Sequence, residues 1–372
     1  MEYKKILVTG GAGFIGSFLV DALVAKHYQV RIFDNLEQQV HLGRKPAYLN
    51  KKSEFIKGDV RDYEAFKKAI KGVDAIFHLA AVVGVGQSNY EIKKFTDVNI
   101  GGTANLLHIL ANTKHSIRKI ITNSSMTGLG EGNYQCKRCG IVRPSLRVEK
   151  QLLKKDWDQK CPNGHGKIEP ISTPEDVLEF PNSIYAITKK TQQEMLLLFG
   201  KMYNVSTVVL RCFNVYGPRQ SISNPYTGVT AIFISRIKNK KPAVIYEDGL
   251  QSRDFVSVHD VVYASIVALE KSSADYQVVN IASGKPTSIK ETAQLISKLL
   301  GSPGLLKVSQ EFRKNDIRHC FADIRKAQRL LGWKPKVTLQ SGFEELIAWS
   351  INEKAIDNFS FAEKQLKMKG LL

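Results

Sequence analysis

The first 125 residues alternate short apolar runs with longer segments in which apolar positions recur every three or four residues. The apolar runs lie near residues 4–8, 29–33, 54–57, 74–79 and 119–123. Runs of this length predict buried strands, and the segments between them predict amphipathic helices. Strands that alternate with helices predict an α/β fold with a parallel sheet, wrapped by helices on both faces and joined by right-handed crossovers.

The first apolar run leads directly into a glycine-rich turn, Thr9-Gly10-Gly11-Ala12-Gly13-Phe14-Ile15-Gly16. Glycines at 10, 13 and 16 suit a tight turn, a close approach of the backbone to a pyrophosphate, and close packing of helix on strand. Asp34 ends the next strand, where an acid bonds a ribose 2′-hydroxyl and repels a 2′-phosphate. The pattern predicts a Rossmann-like, doubly wound domain that binds NAD rather than NADP.

Residues 131–179 break the alternation, because they are rich in Lys, Pro, Gly and Cys and show little apolar periodicity. The alternation resumes with a predicted helix over 183–203 and a predicted strand over 206–211. Weaker segments over 219–252 and from 271 onward predict a smaller C-terminal substrate lobe. We divide the chain into 1–130, the first part of the Rossmann-like domain; 131–179, an insertion; 180–218, a helix and the last strands of that domain; and 219–372, mainly the lobe, with about 253–270 returning to the Rossmann-like domain.

The chain is strongly basic, since 54 Lys and Arg oppose 35 Asp and Glu and give a formal charge of +19. A basic surface suits nucleic acid or a small anionic substrate. The basic residues are scattered and lack interleaved aromatic residues, which favours the small substrate and makes nucleic acid unlikely. No run of about eighteen uncharged apolar residues occurs and the chain begins with a core strand, so we expect no membrane segment, no signal peptide and a cytoplasmic protein.

Tyr185 and Lys189 are four residues apart near the start of the predicted helix, so they share one face of it. A nearby ammonium lowers the cost of ionising a phenol, and a tyrosine so placed acts as acid and base near neutral pH. Ser125, at the end of a strand, would hydrogen-bond the same substrate oxygen. Taken alone the pair equally fits an ordinary surface contact.

Several motifs occur in a characteristic order along nearly the whole chain. Together they resemble the extended short-chain dehydrogenase/reductase family of nucleotide-sugar epimerases and dehydratases. The motifs are Thr9 to Gly16, Asp59-Val60, His78 to Ala81, Asn99 to Thr103, Ser124-Ser125, Tyr185 to Lys189, Arg211 to Pro218, Arg253 to Val256, and Leu330 to Pro335.

The resemblance implies a redox cycle in which Tyr185 deprotonates a sugar hydroxyl, NAD takes hydride from the same carbon, and a 4-keto sugar forms. Family members that eliminate water carry an acidic residue directly after the serine or threonine. This chain has Met126 and Thr127 there, which argues against a 4,6-dehydratase and a decarboxylating synthase. The remaining interpretation is a 4-epimerase that regenerates NAD in each turnover.

The resemblance also assigns the site residues. Ser125 and Asn214 would contact the sugar or its phosphate, and Arg253 and Arg313 would bind the diphosphate through guanidinium forks. Asp316 would order Arg313 or bond a ribose hydroxyl, and Cys320 would form part of the pocket wall. Ordinary surface arginines and a buried packing cysteine are the plain alternatives. The expected cofactor-binding residues are Gly10, Gly13, Phe14, Ile15, Gly16, Asp34, Asn35, Asp59, Val60, Leu79, Ala80, Ala81, Asn99, Ser124, Tyr185, Lys189 and Phe213.

The insertion contains two short metal-ligand spacings, Cys136 with Cys139 and Cys161 with His165. Three thiolates and an imidazole predict a closed, structural zinc site, with reduced, metal-free cysteines as the alternative. The insertion lies between Ser125 and Tyr185, which must meet in space, so both of its ends lie at the active-site edge of the sheet. We therefore expect it to cap the sugar pocket or to join a subunit interface.

Within the family, the insertion and the stretches 34–41 and 224–229 resemble bacterial 4-epimerases of dTDP-L-rhamnose. UDP-glucose and UDP-N-acetylglucosamine remain open as substrates. An NAD-linked sugar dehydrogenase or ketoreductase and a non-catalytic RNA-binding protein are the competing functions. The resemblance further implies a homodimer that pairs the helix over 95–112 and the Tyr185 helix with their copies.

Overall fold

A seven-stranded parallel sheet forms the centre of the molecule, a computed structural model that describes residues 3–372. The strands of the chain are β1 (Lys5–Thr9), β2 (Gln29–Asp34), β3 (Glu54–Lys57), β4 (Ala75–His78), β5 (Lys119–Ser125), β6 (Asn133–Cys136), β7 (Gly140–Val142), β8 (Glu169–Ile171), β9 (Ser206–Cys212), β10 (Asn214–Tyr216), β11 (Ala243–Ile245), β12 (Ser252–Ser257), β13 (Gln277–Ile281), β14 (Pro286–Ser288), β15 (Leu306–Val308) and β16 (His319–Cys320).

The helices cover both faces of this sheet and build the lobe. They are α1 (Phe14–Ala25), α2 (Gln38–His41), α3 (Tyr63–Ile70), α4 (Val85–Ser88), α5 (Ile92–Phe95), α6 (Gly102–Asn112), α7 (Glu149–Leu153), α8 (Ile184–Tyr203), α9 (Val229–Lys238), α10 (Val258–Glu270), α11 (Ile289–Leu299), α12 (Arg325–Leu331), α13 (Leu339–Ile351) and α14 (Phe359–Met368). Among residues 3–372, none of these helices is both long enough and apolar enough to cross a bilayer.

The order of strands in the main sheet is β13-β9-β5-β4-β1-β2-β3, and every pairing is parallel. The direction of winding reverses between β1 and β4, and ligands of such sheets bind in the crevice beyond the carboxyl ends at this reversal. The predicted doubly wound α/β fold is confirmed.

Two hydrophobic cores hold the helices on the sheet. On one face α1 and α10 pack with the fully buried Trp333, whose indole N–H donates to the carbonyl of Asp260 at 3.0 Å. On the other face α3, α6 and α8 pack on the opposite side chains of the same strands. Strands covered on both faces need near-continuous apolar sequence, which is why the apolar runs are so clear in the first 125 residues.

The lobe has its own core between α9, α11 and α13, built around Phe233, Phe255, Ile296 and Phe343. Its central strand, β12, pairs with β10, β14 and β16 and lies outside the main sheet. Residues 253–270 are expected from the sequence to belong to the Rossmann-like domain. Helix α10 does pack on its sheet, but strand β12 belongs to the lobe. The main sheet instead gains β13, from the region assigned to the lobe, as its edge strand.

The insertion is a small unit of three antiparallel strands in the order β7-β6-β8, with the short helix α7. The hydrophobic cluster around its strands is small and consists of Tyr134, Cys136, Cys161 and Ile168, with Cys139 and Val142 packed against it. A core of this size contributes little burial, so a segment of this length needs a cross-link or a docking surface to stay folded. It docks on the lobe, where Gly132 N–H donates to the carbonyl of His319 at 3.0 Å and Thr173 N–H to that of Phe321 at 2.9 Å.

Candidate active site

The glycine turn has the geometry that its sequence predicts. Gly10 has a φ of +67°, and a Cβ there would lie 2.8 Å from the backbone nitrogen of Ala80. A Cβ on Gly16 would lie 2.2 Å from the carbonyl oxygen of Gly10, so only glycine lets α1 approach the turn this closely. Gly13 is the N-cap residue of α1 and offers no capping side chain, which leaves N–H groups of the first turn for an anion.

Asp34 lies at the carboxyl end of β2, beside the glycine turn. Its carboxylate accepts from the N–H of Ala12 at 2.9 Å and from the N–H of Leu36 at 2.8 Å, which fixes the acid at the cavity wall. Next to it, the amide of Asn35 donates to Asp59 at 2.9 Å. Burial raises the pKa of Asp59, but its bonds to Arg61 and Asn35 outweigh this and lower that pKa to about 2.

A single cavity of about 640 Å³ runs from the glycine turn along the sheet edge to the lobe. The following predicted site residues line it: Gly10, Gly13, Phe14, Ile15, Gly16, Asp34, Asn35, Asp59, Val60, Leu79, Ala80, Ala81, Ser124, Ser125, Tyr185, Lys189, Phe213, Asn214, Arg253, Arg313 and Asp316. The side-chain oxygens of Asn123 and Asn214, two residues of this wall, are buried and have no partner within the described chain. A dinucleotide and a polar substrate fit such a wall, because each brings hydrogen-bond donors to it.

Tyr185, Lys189 and Ser125 all line this cavity, and Tyr185 and Ser125 are hydrogen-bonded to each other. The start of α8 is held by α4 and the residue after it, since Ser88 Oγ accepts from the N–H of Tyr185 at 3.0 Å and Asn89 Oδ1 from that of Ile184 at 3.1 Å. Burial raises the pKa of Tyr185 to about 12, against a hydrogen bond with Ser125 that lowers it. Thr127 donates to Ser125 Oγ at 3.0 Å, so the hydroxyl proton of Ser125 is free to donate to another acceptor.

Burial also lowers the pKa of Lys189 to about 8. Its ammonium donates to Gln192 Oε1, and Gln192 in turn donates to Thr103 Oγ1 at 2.9 Å. Beyond Thr103 lies the fully buried His78, 3.2 Å away through Nε2. Polar groups of three elements, α8, α6 and β4, therefore form a buried chain that begins at the ammonium of Lys189.

Asn99 and Cys320 do not line the cavity, contrary to the sequence expectation. Asn99 is fully buried in a π-helical turn, Thr96–Gly101, and its amide bonds both backbone groups of Val82 and the hydroxyl of Thr188 at 2.8–3.1 Å. It thus joins the loop after β4 to α8. Cys320 is 1% exposed and packs among Met126, Leu129 and Phe213 behind the wall.

At the lobe end, Asp316 lies between the two predicted diphosphate-binding arginines. Its Oδ1 accepts from Arg253 at 2.9 Å and its Oδ2 from Arg313 at 2.8 Å. Burial raises the pKa of Asp316, but Arg313, Arg253 and Arg147 outweigh this and lower that pKa to about 2. The expectation that Asp316 orders Arg313 agrees with this geometry, and the contact with Arg253 adds the second arginine to the same carboxylate.

The four predicted metal ligands come together in the insertion. Their ligand atoms lie within 4.8 Å of one another, with 3.6 Å between the sulfurs of Cys139 and Cys161 and 3.9 Å between Cys136 Sγ and His165 Nδ1. A tetrahedral zinc ion separates such atoms by about 3.4–3.8 Å. Backbone N–H groups of Cys139 and Arg138 lower the pKa of the Cys136 thiol to about 6, which favours the thiolate that binds metal. The donor set and its spacing fit zinc.

The sequence predicts that the insertion caps the sugar pocket or joins a subunit interface. The structure shows that it does not cap the cavity. Within residues 3–372 the cavity wall includes none of residues 131–179, because the insertion packs against the outer side of the lobe. The wall is instead completed by parts that the sequence did not single out. One is α14, whose residues Phe359, Ala362, Glu363 and Leu366 face the cavity at helical spacing. Apolar residues at this spacing predict a buried helix face, but they do not predict which part of the protein that face packs against.

Comparisons with known proteins agree with this geometry. Residues 6–140 match the model of the NAD dependent epimerase/dehydratase family, and residues 164–346 match that of GDP-mannose 4,6 dehydratase. The chain is 35% identical over 360 residues to dTDP-L-rhamnose 4-epimerase of Burkholderia thailandensis, covering 95% of this chain and 96% of that protein.

Solved structures are similar over the same length. The UDP-glucose 4-epimerase of Thermotoga maritima with UDP-glucose is 31% identical, with a TM-score of 0.75 and coverage of 93% of this chain and 98% of that one. The UDP-glucuronic acid 4-epimerase of Bacillus cereus, in complex with UDP-glucuronic acid and NAD, is 27% identical, with a TM-score of 0.74 and the same coverage. The chain is therefore an NAD-dependent isomerase and belongs to the nucleotide-sugar epimerase/dehydratase family of extended short-chain dehydrogenases/reductases.

Proposed function

We propose that the protein is a nucleotide-sugar 4-epimerase that converts dTDP-L-rhamnose into dTDP-6-deoxy-L-talose. The observation that carries the proposal is that Tyr185, its hydrogen-bond partner Ser125, and Lys189 line one cavity suited to a dinucleotide, with Met126 and Thr127 where a dehydratase needs an acid. The similarity to the Burkholderia enzyme supports the choice of sugar.

In this mechanism NAD, when bound, supplies the acceptor and donor of hydride for C4 of the sugar. Tyr185 takes the proton of the C4 hydroxyl as that carbon is oxidised, and it returns the proton when the ketone is reduced from the opposite face. Ser125 bonds the same oxygen, and Lys189 stabilises the phenolate. Arg253 and Arg313 bind the diphosphate, which leaves the sugar free to turn about its bond to the phosphate.

Two further assignments belong to this proposal. Zinc bound by Cys136, Cys139, Cys161 and His165 supports the fold of the insertion and takes no part in catalysis, because four protein ligands leave no open position on the metal. A homodimer pairs α8 with its copy. In support, α8 exposes Ile187, Leu198 and Met202 at 44%, 61% and 68% along one side of the helix.

The test is to incubate the purified protein, without added cofactor, with dTDP-L-rhamnose, UDP-glucose and UDP-N-acetylglucosamine separately. Proton NMR reports the configuration at C4. Inversion of dTDP-L-rhamnose alone supports the proposal, and inversion of a UDP-sugar corrects the substrate. Turnover that needs stoichiometric nicotinamide identifies a dehydrogenase or ketoreductase instead. Salt-dependent RNA binding by a protein that contains no NAD identifies the non-catalytic alternative.

A further inference from the structure

The insertion holds the short lobe segment that carries Asp316. Arg147 of the insertion donates to the carbonyl of Asp316 at 3.0 Å. Glu131, at the start of the insertion, accepts from the N–H of Arg318 at 2.9 Å and from the N–H of His319 at 2.8 Å. Two insertion side chains therefore fix the backbone of residues 316–319 at three atoms.

The same segment determines where the guanidinium of Arg253 lies. Arg253 donates to the carbonyls of Ile317 at 2.8 Å and Arg318 at 3.2 Å, besides its bond to the Asp316 carboxylate. Arg313 is half exposed and forms an ion pair with the other oxygen of Asp316. A shift of residues 316–318 would therefore move both arginines at once.

Arg147 is itself held rigidly. Its guanidinium forms two bonds to Glu247, at 2.8 and 2.9 Å, and one to the carbonyl of Trp157 at 2.9 Å. The side chains of Arg147 and Glu247 are 1% and 3% exposed. A buried ion pair of this kind contributes little net stability, because desolvation offsets the attraction, but it fixes geometry. Its position between the insertion and the segment that carries Asp316 suits a positioning role.

We infer that Arg147 and Glu131 are positioning residues for the diphosphate site: they hold residues 316–319, through which Asp316 aligns Arg253 and Arg313 on the substrate's diphosphate. The inference rests on the proposed function, in which those two arginines bind the diphosphate. It gives the insertion a role in substrate affinity although the insertion does not line the cavity.

The experiment compares Arg147→Gln with Lys150→Gln, which removes a positive charge from the exposed side of the same insertion. Calorimetry with dTDP and with UDP measures diphosphate affinity independently of catalysis, and steady-state kinetics separate kcat from KM. For Arg147→Gln we expect Kd and KM to rise about tenfold and kcat to stay within about twofold, because Tyr185 and Ser125 are untouched. Lys150→Gln should match the wild type.

Removal of Arg147 leaves Glu247 with fewer bonds in the interior, so thermal unfolding is measured first. The double variant Arg147→Met with Glu247→Met replaces the buried pair by apolar side chains of similar length. It loses the bond to Asp316 and the 3.1 Å bond from Arg318 to Glu247, while Arg318 keeps its ion pairs with Asp158 and Asp248. Unchanged nucleotide affinity in either folded variant, or a loss confined to kcat, overturns the inference. A protein that binds dTDP normally but inverts no sugar contradicts the proposed function and leaves this inference standing.

Discussion

Gln39, which follows the second strand of the main sheet, donates a hydrogen bond of 3.0 Å to Asn224 of the lobe. The same amide group donates to Gln87 at 3.0 Å, and Gln87 returns a bond to Gln39 at 2.9 Å. Close by, Tyr90 donates to the hydroxyl of Tyr226 at 2.6 Å. Gln39, Asn224 and Tyr226 line the cavity, so these contacts join the Rossmann-like domain to the lobe across the predicted NAD site.

We expect that removal of the bridge between Gln39 and Asn224 reduces the amount of NAD that the protein retains. The double variant Gln39→Ala with Asn224→Ala should purify with much less NAD and bind added NAD about tenfold more weakly, because the one bond to the lobe and the two bonds that hold Gln39 on Gln87 are lost. NAD released by denaturation is quantified by chromatography against protein. Gln340→Ala, which loses an exposed amide bond on α13, is the control. Full NAD content in the double variant would contradict this role.

Tyr185→Phe should reduce the rate of C4 inversion by about three orders of magnitude, because positioned acid–base groups typically contribute 10²–10⁴-fold. The phenyl ring keeps the edge contact with Phe95, so the fold and the NAD content should not change. NMR of the sugar measures the rate, and absorbance measures bound NAD. Tyr203→Phe, at the exposed end of the same helix, should retain full activity. A Tyr185→Phe variant with more than a tenth of the wild-type rate would contradict the assignment.

The pH dependence of kcat should follow Lys189. Its pKa, lowered by burial to about 8, means that the ammonium is present below pH 8 and is lost above it, so activity should decline on the alkaline side. In Lys189→Met no ammonium assists the ionisation of Tyr185, whose pKa burial already raises to about 12 in the wild type. We expect a rate about a hundredfold lower at pH 7 that increases with pH throughout the alkaline range.

Lys189→Arg supplies the contrast for this profile, because a guanidinium stays charged throughout. Any activity that this variant retains should lack the alkaline decline near pH 8. Thermal unfolding confirms that the longer side chain is accommodated. An identical alkaline limb in Lys189→Arg would mean that another group titrates there.

The parts of the site that the sequence predicted are those whose geometry depends on neighbours in the chain. Gly10 and Gly16 are required by the conformation of one turn and by one helix-to-strand contact, both readable from their spacing. Tyr185 and Lys189 share a face because four residues make about one helical turn. Their placement beside Ser125 follows from the parallel sheet, which brings strand ends to a common edge.

The parts that the sequence missed depend on packing between distant segments. β13 is hard to recognise because its run is interrupted by Asn280, whose buried amide bonds the carbonyls of Thr173 and Asp323 at 3.1 and 3.3 Å. Asn99 belongs to a motif read as cofactor-binding, but a π-helical turn directs its amide to Val82 and Thr188. Arg147 stands in a segment without periodicity, and its contact with Asp316 spans 169 residues.

Removal of zinc should destabilise the insertion and weaken nucleotide binding. The four ligands close the insertion, and Glu131 lies two residues before β6, the strand that ends at the first ligand, Cys136, so loss of the metal should loosen that end of the insertion. Treatment with a strong chelator, or Cys161→Ser, should lower the unfolding temperature and raise the Kd for dTDP. Retained NAD should stay, because no described residue of the insertion lines the cavity. Metal analysis, calorimetry and NAD release measure these three effects. Cys212→Ser, which alters a buried cysteine of the cavity wall outside the insertion, should keep its zinc, so its metal content separates metal loss from general thiol loss. Full zinc content in Cys161→Ser, or a chelated protein with unchanged stability, would show that the cluster does not hold a structural metal.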